Sequence, residues 1–296
     1  MSTQVSNSFI RQYESDVHHI FQLQGGILRE TVRKKDGIVG TSTDFQKIGK
    51  GVATTKARHG VITPMNQDHT ALTCNISDFY AGDWVDSLDE SKINIDERMA
   101  IAKGGAWALG RKVDDQIITE LNTTSETTIT ITLTNAGTIR AGLLSMVEGL
   151  DANDVPNDGG RYAALTPRQW GMAMLVEEFA SADYISGPQP FDTGANMHQG
   201  AWKNWMNVKW KVHTGLPGQG TTTANGYAWH KNAIGYACGA HAGNVAENEQ
   251  VSVSIQYHND HDAHFVMHHM SGGACMIDTT GVIEVVSNDT TAIPAS

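Results

Sequence analysis

The sequence has a shortage of basic residues, and this shortage limits what the protein can bind. Its 296 residues include 21 Lys and Arg against 32 Asp and Glu, which gives a formal net charge of -11. Affinity for nucleic acid comes largely from Lys and Arg side chains that neutralise phosphates, so the balance argues against a protein whose main task is to grip phosphates. Copies of the chain also repel one another at long range, so self-association must come from matched local surfaces.

Metal-binding cysteine pairs, a secretory leader and long apolar runs are also missing. Cys74, Cys238 and Cys275 are far apart and match no CxxC spacing, so we expect free thiols in a reducing cytoplasm. The N-terminal stretch MSTQVSNSFIRQYESDV has no basic segment followed by an apolar core, and we expect no secretory signal. Charged residues interrupt every apolar run of the longest predicted helix, which excludes a membrane span there, and we expect no membrane partner.

The stretch that organises the chain is residues 94–121, which is predicted to be one long helix. Apolar residues recur at spacings of three and four, namely Met99, Ala102, Ala106, Leu109, Val113, Ile117 and Leu121. Asn94 can cap its first turn, and at 1.5 Å per residue the helix is about 40 Å long. Gly104, Gly105 and Gly110 weaken it by about 3 kcal/mol relative to Ala. Close approach to a sheet, or a place to bend, would compensate. An ordinary long core helix is the alternative interpretation.

Two segments ahead of this helix have little to bury. Residues 36–73 are punctuated by Gly and contain few large apolar residues, which favours a projecting two-stranded hairpin that needs a partner surface. Residues 1–35 are predicted to form an arm. Its apolar residues Phe9, Tyr13, Val17, Ile20 and Leu23 can form one stripe, and its basic cluster of Arg29, Arg33, Lys34 and Lys35 is interpreted as solvated surface.

The remaining chain mixes helices and strands without a regular βαβ alternation, which predicts the α+β class. Helical patterns cover residues 139–150 and 166–178, the second with Thr166 as its N-cap and Pro167 at its first position. A short helix or turn is predicted around residues 234–242. Strand patterns cover residues 69–80, 127–135, 161–165, 206–212, 251–257, 264–270 and 281–286.

One cluster of side chains could carry metal chemistry. The stretch YHNDHDAHFVMHH holds five His and two Asp, namely His258, Asp260, His261, Asp262, His264, His268 and His269. These are ligands for zinc or iron, but strand periodicity places His264 and His268 on one face and His269 on the other. A His-rich strand and loop at a subunit boundary is the alternative interpretation.

No other pattern indicates catalysis. The chain has no GxSxG elbow, no HExxH and no phosphate-binding Gly-rich loop. The adjacent acids Asp114 and Asp115 are interpreted as a solvated helix face, and Trp202, Trp205, Trp210 and Trp229 as core or interface. We therefore predict no catalytic residues, no cofactor, no metal site and no enzyme.

The order of parts and four segments resemble the major capsid protein of tailed bacteriophages, which has the Hong Kong 97-type fold. The segments are residues 75–118 (NISDFYAGDWVDSLDESKINIDERMAIAKGGAWALGRKVDDQII), 161–175 (RYAALTPRQWGMAML), 227–239 (YAWHKNAIGYACG) and 262–286 (DAHFVMHHMSGGACMIDTTGVIEVV). The resemblance implies an N-terminal arm at residues 1–35 and an extended loop at 36–73. It implies a peripheral domain at 74–135 and 262–296 with a spine helix at 95–121, and an axial domain at 136–261.

The resemblance also implies the function. Many copies would assemble as pentamers and hexamers into an icosahedral virion shell around phage double-stranded DNA, inside the bacterial host cytoplasm. Expected partners are a portal, a separate scaffolding protein because the arm is short, a possible decoration protein, and packaged DNA in weak, non-specific contact. Lys47 and Lys50 lie in the extended loop, but no crosslinking role is assigned to them. An encapsulin-like shell and a metal-dependent enzyme that uses His258 to His269 are the alternatives.

Overall fold

A computed structural model describes residues 23, 25–87, 97–180, 202–239 and 252–292. The predicted N-terminal stripe up to Ile20 and the helix cap at Asn94 lie outside these ranges. The helices are α1 (Glu97–Leu121), α2 (Ala136–Ala152), α3 (Pro167–Ala173) and α4 (Glu177–Ala180). The strands are β1 (Arg33–Ile38), β2 (Ser42–Ile48), β3 (His69–Asn75), β4 (Ser77–Asp86), β5 (Ile129–Ile131), β6 (Arg161–Leu165), β7 (Lys203–Trp205), β8 (Val208–Val212), β9 (Ala224–His230), β10 (Ile234–Gly239), β11 (Ser252–His258), β12 (Ala263–Met276) and β13 (Val282–Ser287).

A five-stranded sheet carries the long helix α1. The long strand β12 is its centre: β4 and β11 flank the first half of β12 in antiparallel pairs, and β10 pairs with its second half. β1 runs parallel to β10. The helix lies across β4, β10 and β12 and buries Leu109, Val113, Ile117 and Leu121 against the sheet. No helix among the described residues is long and apolar enough to cross a membrane.

A six-stranded sheet forms a second core with α2 and α3. Its strand order is β5-β13-β9-β6-β8-β7. Both helices begin at reciprocal capping boxes, in which Asn135 and Thr166 accept hydrogen bonds from the backbone N–H groups of Thr138 and Gln169. The predicted stripe of α2 is confirmed as its buried face, namely Ile139, Leu143, Val147 and Leu150. The tryptophans Trp205, Trp210 and Trp229 are buried, as expected for core residues.

The predicted hairpin forms the third sheet. β2 and β3 pair antiparallel from Ser42 with Asn75 to Ile48 with His69, and residues 49–68 between them contain no helix or strand. Phe45 and Cys74 pack the hairpin base into a small cluster with Ala237, Cys275 and Ile277. The hairpin therefore has a buried base, and a long irregular segment, residues 49–68, joins its two strands.

Two predictions about strands are wrong. Residues 234–239 form strand β10 and not a helix or turn, and β9 before it was not predicted. Nearly every residue of both strands is buried, so neither shows the polar alternation that marks a strand in sequence. The strand predicted at residues 127–135 is only Ile129–Ile131, because the following residues turn to cap α2.

Two boundaries and the burial of one helix also differ from the prediction. The helix expected at 166–178 ends at Ala173 and resumes as α4 at Glu177. Met206 is not in a strand: it and Asn207 have positive φ values of 52° and 59°, which make the tight turn between β7 and β8. In α1 the apolar stripe is buried only in its second half, and Met99 in the first half is 70% exposed.

Candidate assembly surfaces

The irregular segment of the hairpin, residues 49–68, exposes apolar side chains. Val52, Val61 and Ile62 lie between β2 and β3 and are 72%, 91% and 69% exposed. None of the three belongs to a hydrophobic cluster of the described residues. Exposed apolar groups gathered on one projecting segment are typical of a contact surface, whereas single scattered ones are ordinary.

The chain around the end of β2 is held to the rest of the subunit by two polar contacts. Lys47 Nζ lies 2.8 Å from Asp278 Oδ1, and Lys50 Nζ lies 2.6 Å from Asp154 Oδ2. The Lys50 hydrogen bond lowers the pKa of the Asp154 carboxyl. Exposed ion pairs of this kind contribute little stability, but they orient the segment. Both lysines are thus engaged within the chain.

The spine helix α1 approaches the sheet most closely at one of its glycines. A Cβ added to Gly105 would lie 2.4 Å from Nδ1 of His268 on β12, whereas a Cβ on Gly104 would have no described atom within 4 Å. His268 is fully buried, and its Nδ1 lies 3.2 Å from the Ala81 carbonyl oxygen, to which it donates. Close approach to the sheet therefore compensates for the cost of a helical glycine at Gly105. It does not compensate for that cost at Gly104.

The N-terminal part of the described chain is hydrogen-bonded to a buried acid of the same helix. Asp114 is 1% exposed and accepts hydrogen bonds from the backbone N–H groups of Ile27 and Leu28, at 3.2 and 2.9 Å. His213 Nε2 lies 3.4 Å from Asp114 Oδ2, the same oxygen that accepts from Ile27. The interpretation of Asp114 as a solvated residue is wrong, because residues 25–28 cover it. Its neighbour Asp115 is exposed, as expected.

A second apolar row lies on the edge strand of the five-stranded sheet. Val253, Ile255 and Tyr257 alternate along β11, and each is about half exposed. Within the described residues β11 pairs with β12 alone, so its outer edge presents unpaired backbone groups. Such an edge is a natural place for contact with other protein.

The structure does not bring the His-rich segment together as a metal site. His268 points towards α1, while neighbouring residues of a strand point to opposite faces, so His269 lies on the other face. His258 and His261 pack against the Trp84 ring, with ring centroids 5.2 and 4.8 Å apart. Among the described residues no group of three or more His, Cys, Asp or Glu side chains is arranged to hold a metal ion. The described surface thus offers two exposed apolar segments, one in the hairpin and one on β11.

The fold is that of known phage capsids. The capsid of cyanophage P-SCSP1u superposes with a TM-score of 0.73 at 16% sequence identity, covering 97% of this chain and 95% of that one. The capsid of Ralstonia phage GP4 gives a TM-score of 0.70 at 9% identity, covering 100% of both chains. The head structure of Helicobacter pylori bacteriophage KHP40 gives 0.69 at 12% identity, covering 96% of both. The α+β, Hong Kong 97-type fold is confirmed.

The chain belongs to the phage capsid protein family, whose model matches residues 5–288. Its role as a structural major capsid protein of the virion, expected from the sequence, is therefore confirmed, and neither the encapsulin-like shell nor the metal-dependent enzyme has support. No curated protein matches the chain significantly by sequence.

Proposed function

We propose that copies of this chain associate as pentamers and hexamers, and that these close into an icosahedral shell around phage double-stranded DNA. The observation that carries the proposal is the hairpin, whose base is anchored while Val52, Val61 and Ile62 remain exposed. An isolated two-stranded hairpin is marginal in water, so its exposed segment gains most by packing on a neighbouring copy. The net charge of -11 requires that such contacts be specific.

The domain division proposed from the sequence remains our working division of the subunit. It has an arm (1–35), an extended loop (36–73), a peripheral domain (74–135 and 262–296) with its spine helix (95–121), and an axial domain (136–261). The separate hairpin sheet supports the loop, and α1 on the five-stranded sheet supports the spine. β9 and β10 of the axial domain pair with β13 and β12 of the peripheral domain, so the two domains share both larger sheets.

Further partners follow from the same proposal. A portal and a separate scaffolding protein would guide closure in the bacterial host cytoplasm, and a decoration protein could bind the finished shell. Contact with packaged DNA would be weak and non-specific because the chain is acidic. No catalytic activity is proposed.

We also propose that Gly104 and Gly105 let α1 bend as the shell expands. Replacing both by Ala should therefore block or distort expansion, and normal expansion of that variant would contradict this proposal.

The hairpin contact is tested by adding charge to its exposed apolar segment. The double variant Val61→Asp, Ile62→Asp should reduce particle yield at least tenfold in sedimentation, because charged groups would have to be buried at the contact. Its unfolding midpoint should stay near that of the unmodified chain, since both side chains are exposed in the subunit.

The matched control is Thr55→Asp, which adds charge to an exposed polar residue of the same segment. This variant should assemble to at least a third of the normal yield. Normal particle yield from the double variant would refute the proposed contact.

A further inference from the structure

Two cysteines that are far apart in sequence are neighbours in the fold. Cys74 lies at the end of β3 and Cys275 near the end of β12, and both belong to the buried cluster beneath the hairpin. The Cys74 thiol donates to the Gly273 carbonyl oxygen at 3.3 Å. A Cβ on Gly273 would lie only 1.9 Å from the Asn75 carbonyl oxygen. The hairpin's second strand and β12 are thus in direct backbone contact beside the two sulfurs.

The two thiols also interact with each other. A hydrogen bond between their side chains lowers the pKa of Cys74 and raises that of Cys275, and burial acts as the second cause in each. Cys238 has no such partner thiol, and burial raises its pKa. Of the two thiols Cys74 therefore ionises more readily, and the thiolate is the form of cysteine that reacts with oxidants.

An open, largely polar cleft leads from solvent to Cys275, the thiol that is hydrogen-bonded to Cys74. Its volume is about 560 Å³, and its wall includes Cys275 together with residues of α1 and the flanking hairpin residues Thr73 and Asn75. Glu120 in this wall accepts the backbone N–H of Met276 at 3.1 Å. A polar cleft of this volume admits water and small hydrophilic molecules as far as Cys275, while its neighbour Cys74 is fully buried.

We propose that Cys74 and Cys275 form a peroxide-reactive dithiol site that closes to a disulfide and ties the hairpin to β12. Both sulfurs belong to one chain, so the site does not depend on shell assembly. In a reducing compartment the pair stays as thiols, and the bond forms after exposure to oxidising surroundings.

The reaction consumes one hydrogen peroxide per disulfide. The Cys74 thiolate attacks one peroxide oxygen, the O–O bond breaks, and the departing hydroxide takes up the proton released by Cys74. The sulfur of Cys275 then attacks the Cys74 sulfenic acid: the S–S bond forms, the S–O bond breaks, and water leaves with the Cys275 proton. The two thiols lose two electrons, and the peroxide is reduced to two molecules of water.

The test uses the full-length chain, purified under reductant, desalted and treated with hydrogen peroxide. Free thiols counted after denaturation should fall from three to one per chain. Mass mapping of an unreduced digest should find Cys74 linked to Cys275 and Cys238 free, and dithiothreitol should restore all three thiols. The oxidised chain should also unfold at a higher temperature, by about 5–15 °C, because a long loop of chain is closed.

Two variants sharpen the test. Cys238→Ser should still form the disulfide, which leaves no free thiol, whereas Cys74→Ser should keep both remaining thiols. Oxidation that leaves Cys74 and Cys275 unlinked, or that links Cys238 instead, would overturn the proposal. The mapping of the unmodified chain decides the matter even where a serine variant fails to fold.

Discussion

Alanine at Gly105 should act very differently from alanine at Gly104, although the two residues are adjacent in α1. At Gly105 the new Cβ would lie 2.4 Å from Nδ1, 2.6 Å from Cε1 and 3.0 Å from Cγ of His268. The His268 ring is fully buried and bonded to Ala81, so it has little room to move. At Gly104 no described atom lies within 4 Å of the new methyl group.

The magnitudes follow from two opposing effects. Either replacement gains about 1 kcal/mol because Ala is the better helix former. Overpacking a tight site costs about 1–3 kcal/mol, and this cost applies to Gly105→Ala alone. We therefore expect Gly104→Ala to stabilise the subunit by about 1 kcal/mol, and Gly105→Ala to range from neutral to about 2 kcal/mol destabilising. The helix term cancels in the comparison, so the difference of about 1–3 kcal/mol reports the contact with His268.

Equilibrium urea unfolding of the unassembled subunit measures both free energies. A double-mutant cycle with His268→Ala supplies the control, since Gly105→Ala should lose its cost once the ring is gone, with a coupling of about 1 kcal/mol or more. Equal midpoints for the two glycine variants, together with a coupling near zero, would refute the close approach of α1 to β12.

Two further predictions concern acids of the same helix. Asp114→Ala leaves the buried N–H groups of Ile27 and Leu28 without their acceptor and should cost about 2–4 kcal/mol in urea unfolding, whereas Asp115→Ala should cost less than about 0.5 kcal/mol. Similar costs for the two would contradict the role of Asp114. Burial raises the pKa of the Glu120 carboxyl, so its charged form destabilises the fold at pH values above the ordinary Glu pKa. At about pH 7 the Glu120→Gln variant should therefore unfold at a higher urea concentration than the unmodified chain, and this gain in stability should disappear near pH 4. A gain in stability that is independent of pH would point to another cause.

The elements that could be predicted are those whose own residues decide their structure. α2 shows its buried stripe in sequence, and the hairpin at residues 36–73 follows from how little it can bury. β10 could not be predicted in the same way, because nearly all of its residues are buried on both faces and its conformation depends on pairing with β1 and β12. Strands of this kind carry no periodic signal.

The contacts of the candidate surfaces depended in the same way on distant parts of the chain. In sequence Asp114 cannot be distinguished from its exposed neighbour, because its burial depends on contact with residues 25–28. Cys74 and Cys275 are likewise neighbours only in the fold, since most of the sequence separates them. The His-rich segment illustrates the converse. Strand periodicity alone separates His268 from His269, and that separation was sufficient to argue against a metal site.

The central claim is that this chain builds a closed shell from copies of itself. Negative-stain microscopy of the expressed chain, alone and together with the products of its neighbouring open reading frames, tests it most directly. We predict icosahedral particles or their pentameric and hexameric building blocks in at least one preparation. A folded chain that remains monomeric in both preparations would contradict the account.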